Sequence, residues 1–216
     1  MFKMNNETKK HLENLNEIRS IMERSSSFLS LSGLSGIFAG IFALIGAGFA
    51  YWFIYIYHAF KRSSSIINPV DFNFNIASIL FIDAGIVLFL ALLSGYWFTY
   101  KNSKRKGLKM WNATSKRLIG ALIIPLLTGG IFSLILIWHG AAFIASSTTL
   151  IFYGLALINA SKYTVSDIKY LGISQVIIGL IDAIDIGHGL FYWALGFGVI
   201  HIIYGTIMYM KYEKKN

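Results

Sequence analysis

Six apolar segments, most of them about 20 residues long, alternate along the chain with short connectors that carry lysine and arginine. Because an α-helix rises 1.5 Å per residue, about 20 apolar residues match the hydrocarbon core of a bilayer, which is roughly 30 Å thick. The chain is 56% hydrophobic and 13% charged, which leaves no room for a water-soluble core. The pattern predicts an all-α membrane protein with six transmembrane helices in three antiparallel hairpins. The predicted membrane domain is 28–210, with helices at about 28–60, 76–100, 118–138, 141–160, 170–186 and 190–210.

The basic residues are divided unevenly between the two sides of such a bundle. The N-terminal segment, the second and fourth connectors and the tail carry 5, 7, 2 and 3 Lys or Arg, whereas the other three connectors carry 2, 0 and 0. Basic loops stay on the cytoplasmic side of a membrane, so both termini are predicted to be cytoplasmic. On that side we expect an amphipathic helix within 1–27 and a basic tail at 211–216.

The net charge of +9 is explained by this topology, and no nucleic-acid partner is expected. The connector 101–117 has seven basic residues and no acidic residue, which favours contact with anionic lipid headgroups. The bilayer itself is the first predicted partner.

Several kinds of chemistry are excluded or unsupported by residue content. The chain has no cysteine, so thiolate catalysis and sulfur-ligated metals are excluded. It contains no H-x-x-E-H zinc motif, no phosphate-binding Walker loop and no nucleophile elbow. The sequence therefore favours a non-enzymatic protein without a cofactor.

Four polar side chains are predicted to lie within the membrane, namely Asp83, Gln175, Asp182 and His201. Ionisable groups at that depth are energetically costly and are functional candidates by default. Asp83 and His201 fall at similar predicted depths, so they are candidates for a proton-relay pair in one hydrated cavity. The alternative is structural, with each group hydrogen-bonded separately to a neighbouring helix.

Asp182, Asp185 and His188 form a D-x-x-D-x-x-H series at the outer end of the fifth segment. Two carboxylates and an imidazole on one helix flank are ligands that suit a divalent cation. This is the basis of an alternative function, a metal-dependent membrane enzyme. Exposed residues at the water boundary are the competing interpretation.

Small residues and one proline predict how the helices pack, because helices associate in lipid through close backbone approach. Small residues at steps of three and four mark a contact face on the first segment, and two glycines flank His201 on the sixth. Pro125 is predicted to bend the third segment. The predicted packing residues are Gly33, Gly36, Gly40, Ala43, Ala47, Gly198 and Gly205.

Two stretches carry a family resemblance. The run 14–46, with MERSS and LSGLSG, and the run 194–212, beginning ALGFGVIH, resemble uncharacterised small bacterial multi-pass membrane proteins with six spans. The resemblance implies a bacterial inner membrane and carries no activity with it.

The sequence thus predicts an integral inner-membrane protein that either transports a small solute or ion or regulates a partner. The regulatory interpretation assigns the role to the N-terminal helix and to the connector 101–117. The glycine-rich faces also allow a homo-oligomer or another membrane partner.

Overall fold

The computed structural model describes residues 14, 15, 18, 31–63, 69–107 and 110–214, without the side chains of 57–63 and 69–78. Most of the predicted N-terminal helix, within 1–27, lies outside the described residues. Six long helices make up most of the described chain, and no strand is found in that part. The prediction of an all-α protein is therefore confirmed for the described residues.

The six helices are numbered α1 to α6 in chain order. Helix α6 is continuous but changes type, from α-helix (Gly189–Trp193) to π-helix (Ala194–Ile200) and back to α-helix (His201–Tyr212). A 3₁₀ turn, Ala142–Ile144, leads into α4. The other bounds are α1 Gly33–Ser63, α2 Pro69–Arg105, α3 Ala113–Trp138, α4 Ala145–Ala160 and α5 Ile168–Ile184.

Helix α2 begins at Pro69, seven residues before the predicted start at 76. Asn and Asp residues in 68–75 were the basis for predicting a solvated turn there. Proline is favoured at the first position of a helix because its fixed φ suits the helix and its missing N–H would be unpaired there anyway. Pro69 therefore starts the helix instead of interrupting the chain before it.

Five helical segments in the described chain are long and apolar enough to cross a membrane, and they lie in α1, α2, α3, α6 and in α4 together with the 3₁₀ turn that precedes it. The chain is therefore an integral membrane protein by the length and composition of its helices. Helix α5 has 17 residues, a length of about 25 Å, and falls short of that criterion. The bounds of the five segments are Gly33–Ile56, Ile79–Arg105, Ala113–Trp138, Ala142–Ala160 and Gly189–Tyr212.

The exposure of side chains is inverted relative to a water-soluble protein. Trp138 is 88% exposed and many large apolar side chains of α2 and α3 face outward. Gln175 and Asp182, in contrast, are 0% and 2% exposed. An apolar surface around a polar interior is the arrangement that lipid, and not water, stabilises.

Glycine contacts determine which helices lie closest. A Cβ at Gly33 would lie 2.3 Å from the backbone nitrogen of Tyr209, and one at Gly205 would lie 2.7 Å from the carbonyl oxygen of Gly33, so α1 and α6 touch backbone to backbone. Gly36 and Gly40 continue the contact, and Gly198 receives Leu44. Ala43 and Ala47 are buried farther along α1.

A second glycine contact joins α4 to α5. A Cβ at Gly154 would lie 2.5 Å from the carbonyl oxygen of Gly172, and one at Gly172 would lie 2.7 Å from the carbonyl oxygen of Gly154. Helix α5 therefore packs chiefly on α4, while α6 packs chiefly on α1. The predicted third hairpin, α5 with α6, is consequently the loosest of the three, because the closest glycine contacts join other pairs.

Helix α3 continues through Pro125, and its neighbour replaces the lost hydrogen bond. Proline has no N–H to donate to the carbonyl four residues earlier, which is that of Ala121. The side chain of Asn159 on α4 donates to this oxygen at 3.1 Å. A side chain from the next helix thus satisfies the carbonyl that Pro125 leaves free.

One end of the bundle, here called the basic end, contains the starts of α1, α3 and α5 and the ends of α2, α4 and α6. There Glu213 accepts hydrogen bonds from Ser32 Oγ at 3.1 Å and from the backbone N–H of Gly33. Its carboxylate also lies 4.0 Å from Arg105 at the end of α2. One buried carboxylate thus joins the ends of α1, α2 and α6.

Candidate functional site

Buried polar side chains gather where α4, α5 and α6 face one another. On α5, Gln175, Gly179 and Asp182 are spaced four and three residues apart, which places them on one helix face. These polar side chains, together with those of α4 and α6, are called the polar core below. Its members are Ser147, Tyr153, Gln175, Asp182, His201 and Tyr204.

The centre of the polar core is a hydrogen-bonded chain from α4 to α5. Tyr153 OH lies 2.8 Å from His201 Nε2, and His201 Nδ1 lies 2.9 Å from the carbonyl oxygen of Gly196. Gln175 Nε2 donates to the same oxygen at 2.8 Å. Because a carbonyl only accepts, Nδ1 carries a proton, whereas the hydroxyl of Tyr153 can donate to Nε2 or accept from it. Both imidazole nitrogens of His201 are therefore paired.

The π-helix of α6 is what presents this carbonyl. Gly196 lies within the π-helical stretch Ala194–Ile200, and His201 follows directly after it. A Cβ at Gly196 would lie 2.6 Å from Gln175 Oε1 and 2.5 Å from Leu150, so a larger residue there would displace both side chains. π-Helical turns are rare in proteins, but those that occur are often found at functional sites.

Several polar atoms of the polar core have no hydrogen-bond partner in the described structure. They are Ser147 Oγ, Gln175 Oε1, both carboxylate oxygens of Asp182 and Tyr204 OH. Buried polar groups are normally paired, and those without a protein partner commonly bind water or an ion. In the described chain the sixth such atom, Ser103 Oγ, belongs to α2.

At the end of the polar core away from the basic end, Asp185 pairs with its neighbours. It accepts from Tyr192 OH at 2.8 Å and lies 3.0 Å from His188 Nδ1. The hydrogen bond from Tyr192, followed by that from His188, lowers the pKa of Asp185. This pair marks a charged, solvent-accessible mouth.

The three residues of the predicted metal site do not converge. Asp185 and His188 bind each other at the exposed mouth, whereas Asp182 is buried between the helices. Within the described part of the chain, no group of three or more His, Asp or Glu side chains is placed to hold a metal ion. The divalent-metal site stays a prediction.

At the basic end, an ion pair between Asp167 and Lys211 lies next to the polar core. Lys211 and Tyr212 OH both donate to Asp167 Oδ2, the latter at 3.0 Å. The hydrogen bond from Lys211, with a smaller one from Tyr212, holds the pKa of Asp167 below its usual value. Tyr204 lies near enough to interact electrostatically with Asp167 and Tyr212. The polar core thus extends from Asp185 at one end toward Asp167 at the other.

Asp83 lies apart from the polar core. It is half-buried against Gly46 of α1 and lines an apolar groove of about 320 Å³. The carbonyl of His201 packs near Gly36, ten residues earlier on α1, which corresponds to a rise of about 15 Å. The structure therefore does not bring Asp83 and His201 into the predicted shared cavity.

Sequence reasoning did not single out Tyr153 or Gly196 as members of the site. Their partners are 48 and 21 residues away in the sequence, at His201 and Gln175 respectively. The one available signal was the G-x-G pair at Gly196 and Gly198, just before an intramembrane histidine.

Comparison with protein-family models, with curated proteins and with solved structures finds no match to this chain. The resemblance to small bacterial six-span proteins therefore stays a prediction. The geometry of the polar core carries the functional argument.

Proposed function

We propose that this chain is a six-span protein of the bacterial inner membrane, with both ends in the cytoplasm, that moves a small ion through the polar core. The observation that carries the proposal is the set of unpaired polar atoms buried between Asp185 and Asp167. The proposal includes no enzymatic step.

The proposal of six crossings rests on how α5 packs. Gly179 contacts Ser147 near the start of α4, Gly172 contacts Gly154 just past its middle, and Ile168 shares a buried cluster with Leu157 near its end. Because the segment Ala142–Ala160, which includes α4, is long enough to span, a helix that follows it over this length runs through much of the same depth. The lysines and arginines near the end of α2 and the start of α3 support a cytoplasmic basic end.

The energetics favour a hydrated path over a static structural role. A buried polar group without a partner costs about 1–3 kcal/mol in proteins, and more for a charge. Five such atoms lie in α4, α5 and α6, from Asp182 at one end through Gln175 to Tyr204. Water or ions passing among these groups would satisfy them, which a dry helix contact does not.

Reconstitution into lipid vesicles tests the proposal. We expect the protein to dissipate an imposed proton or monovalent-cation gradient faster than protein-free vesicles do, measured with a pH-sensitive dye and with isotope flux. Asp182→Asn should reduce this rate to that of empty vesicles. Asp83→Asn is the matched control, because it makes the same change in a membrane carboxylate outside the polar core, and its rate should equal wild type.

Once both variants are shown to be folded and inserted, the measured rates distinguish ion movement through the polar core from the alternatives. Equal gradient dissipation by wild-type and protein-free vesicles would contradict ion movement. Loss of flux in Asp83→Asn with retention in Asp182→Asn would instead assign the path to the α1–α2 groove.

A further inference from the structure

The carboxylate of Asp182 is the most unusual group in the described chain. It is 2% exposed, and neither of its oxygens has a hydrogen-bond partner. Asn102 and Glu213 at the basic end are also buried, but each has an identified partner. A buried, unpaired carboxylate needs a positive charge beside it or a proton on it.

A hydroxyl oxygen of α4 lies near the carboxylate of Asp182. A Cβ on Gly189 would lie 2.4 Å from Ser146 Oγ and 3.6 Å from Asp182 Oδ1. The distance between these two oxygens is therefore at most the sum of the two values. Ser147 Oγ is buried on the same turn of α4 and has no partner. The hydroxyls of Thr148 and Thr149 already donate to the carbonyls of Ile144 and Ser146.

The donor set indicates the class of ligand. Carboxylate and hydroxyl oxygens are hard ligands, and they favour hard cations. The titratable groups nearest Asp182 are Tyr192 on α6 and the Asp185–His188 pair in the α5–α6 connector, and the facing part of α4 offers only hydroxyls. One carboxylate with neutral hydroxyls balances a single positive charge, whereas a divalent ion would leave an uncompensated charge inside the membrane.

We propose that Asp182, Ser146 and Ser147 form a binding site for a monovalent metal cation of the Na⁺ class. The inference deepens the proposed function, on which it rests for its role in transport, by naming the ion that occupies the polar core. The site lies near the mouth formed by Asp185 and His188, where a cation enters from water.

Thermal unfolding of the detergent-purified protein tests the site without any flux. NaCl is titrated against choline chloride at constant ionic strength and constant pH. A cation that binds only the folded state raises the unfolding temperature in a saturable way. We expect this rise with Na⁺ or Li⁺ for wild type and for Asp83→Asn, and no rise for Asp182→Asn.

Two further variants keep the test valid if Asp182→Asn folds poorly. Ser147→Ala should raise the Na⁺ concentration for half-maximal stabilisation about tenfold, because it removes one oxygen ligand. Gly189→Ala should also raise it, because its methyl group displaces the Ser146 hydroxyl. Ser133→Ala in α3, where the hydroxyl donates to its own helix, is the control and should leave the value unchanged.

The result that would overturn the site is the absence of Na⁺-, Li⁺- or K⁺-dependent stabilisation in wild type. Stabilisation by acidification alone, abolished in Asp182→Asn, would assign a proton to the carboxylate and also overturn it. Gradient dissipation without cation-dependent stabilisation would leave ion movement standing and refute this site. Stabilisation without gradient dissipation would support the site and refute the proposed transport.

Discussion

At the scale of single residues, hydrogen-bond pairing and not composition distinguishes the candidate site. Both imidazole nitrogens of His201 are paired, Nε2 with Tyr153 OH and Nδ1 with the carbonyl of Gly196. Gln175 completes the arrangement by donating to the same carbonyl. The positions of the four predicted polar residues in apolar segments could be read from the sequence, but the pairing of His201 with Tyr153 and of Gln175 with Gly196 could not, because these partners lie on different helices.

Removing the hydroxyl of Tyr153 should destabilise the protein through His201. In Tyr153→Phe the Nε2 atom of a buried imidazole loses its hydrogen-bond partner. We expect a loss of about 1 kcal/mol in unfolding free energy, which is typical of hydrogen bonds between membrane helices. Unfolding in mixed detergent, followed by circular dichroism, measures it.

Tyr170→Phe on α5 is the matched control for that substitution, because Tyr170 is 67% exposed. Its unfolding free energy should equal wild type. A Tyr153→Phe protein as stable as Tyr170→Phe would argue that the Tyr153–His201 hydrogen bond is not formed in the membrane.

At the scale of helices, glycine positions determine the pairing. The spacing of Gly33, Gly36 and Gly40 predicted a contact face on α1, but spacing alone does not identify the helix that fills it. The structure pairs that face with Gly205 and α6. The π-helical stretch of α6 was also beyond sequence reasoning, since a local change from i+4 to i+5 hydrogen bonds leaves no separate hydrophobic period.

Gly205→Ala should separate α1 from α6, whereas Gly48→Ala should not. A Cβ at Gly205 would lie 2.6 Å from the backbone nitrogen of Ile37, and backbone cannot rotate away as a side chain can. Nothing lies within 4 Å of a Cβ at Gly48, also on α1. We expect Gly205→Ala to lose about 1–3 kcal/mol of unfolding free energy.

Gly48→Ala should be neutral or more stable by up to about 1 kcal/mol, because alanine favours helix over glycine. Detergent unfolding of the two variants side by side provides the measurement. Equal stabilities would mean that the α1–α6 contact is not as close as described.

At the scale of the whole molecule, the exposed apolar surface and the buried polar core both follow from a lipid environment. The class of fold was predictable because helix length and apolar content are local properties of the sequence. The number of crossings is harder to predict, because α5 has 17 residues and its polar face carries Gln175 and Asp182. In the proposed six-span topology, its packing on α4 carries it across the membrane.

Single introduced cysteines test the six crossings directly, because the natural chain contains none. Lys104→Cys and Lys162→Cys lie at the basic end, before α3 and α5, and His188→Cys lies just after α5. With a membrane-impermeant maleimide on intact cells, His188→Cys should label and the other two should label only after lysis. If α5 does not cross, Lys162→Cys and His188→Cys will label from the same side, and a five-span topology with its termini on opposite sides replaces the six-span one.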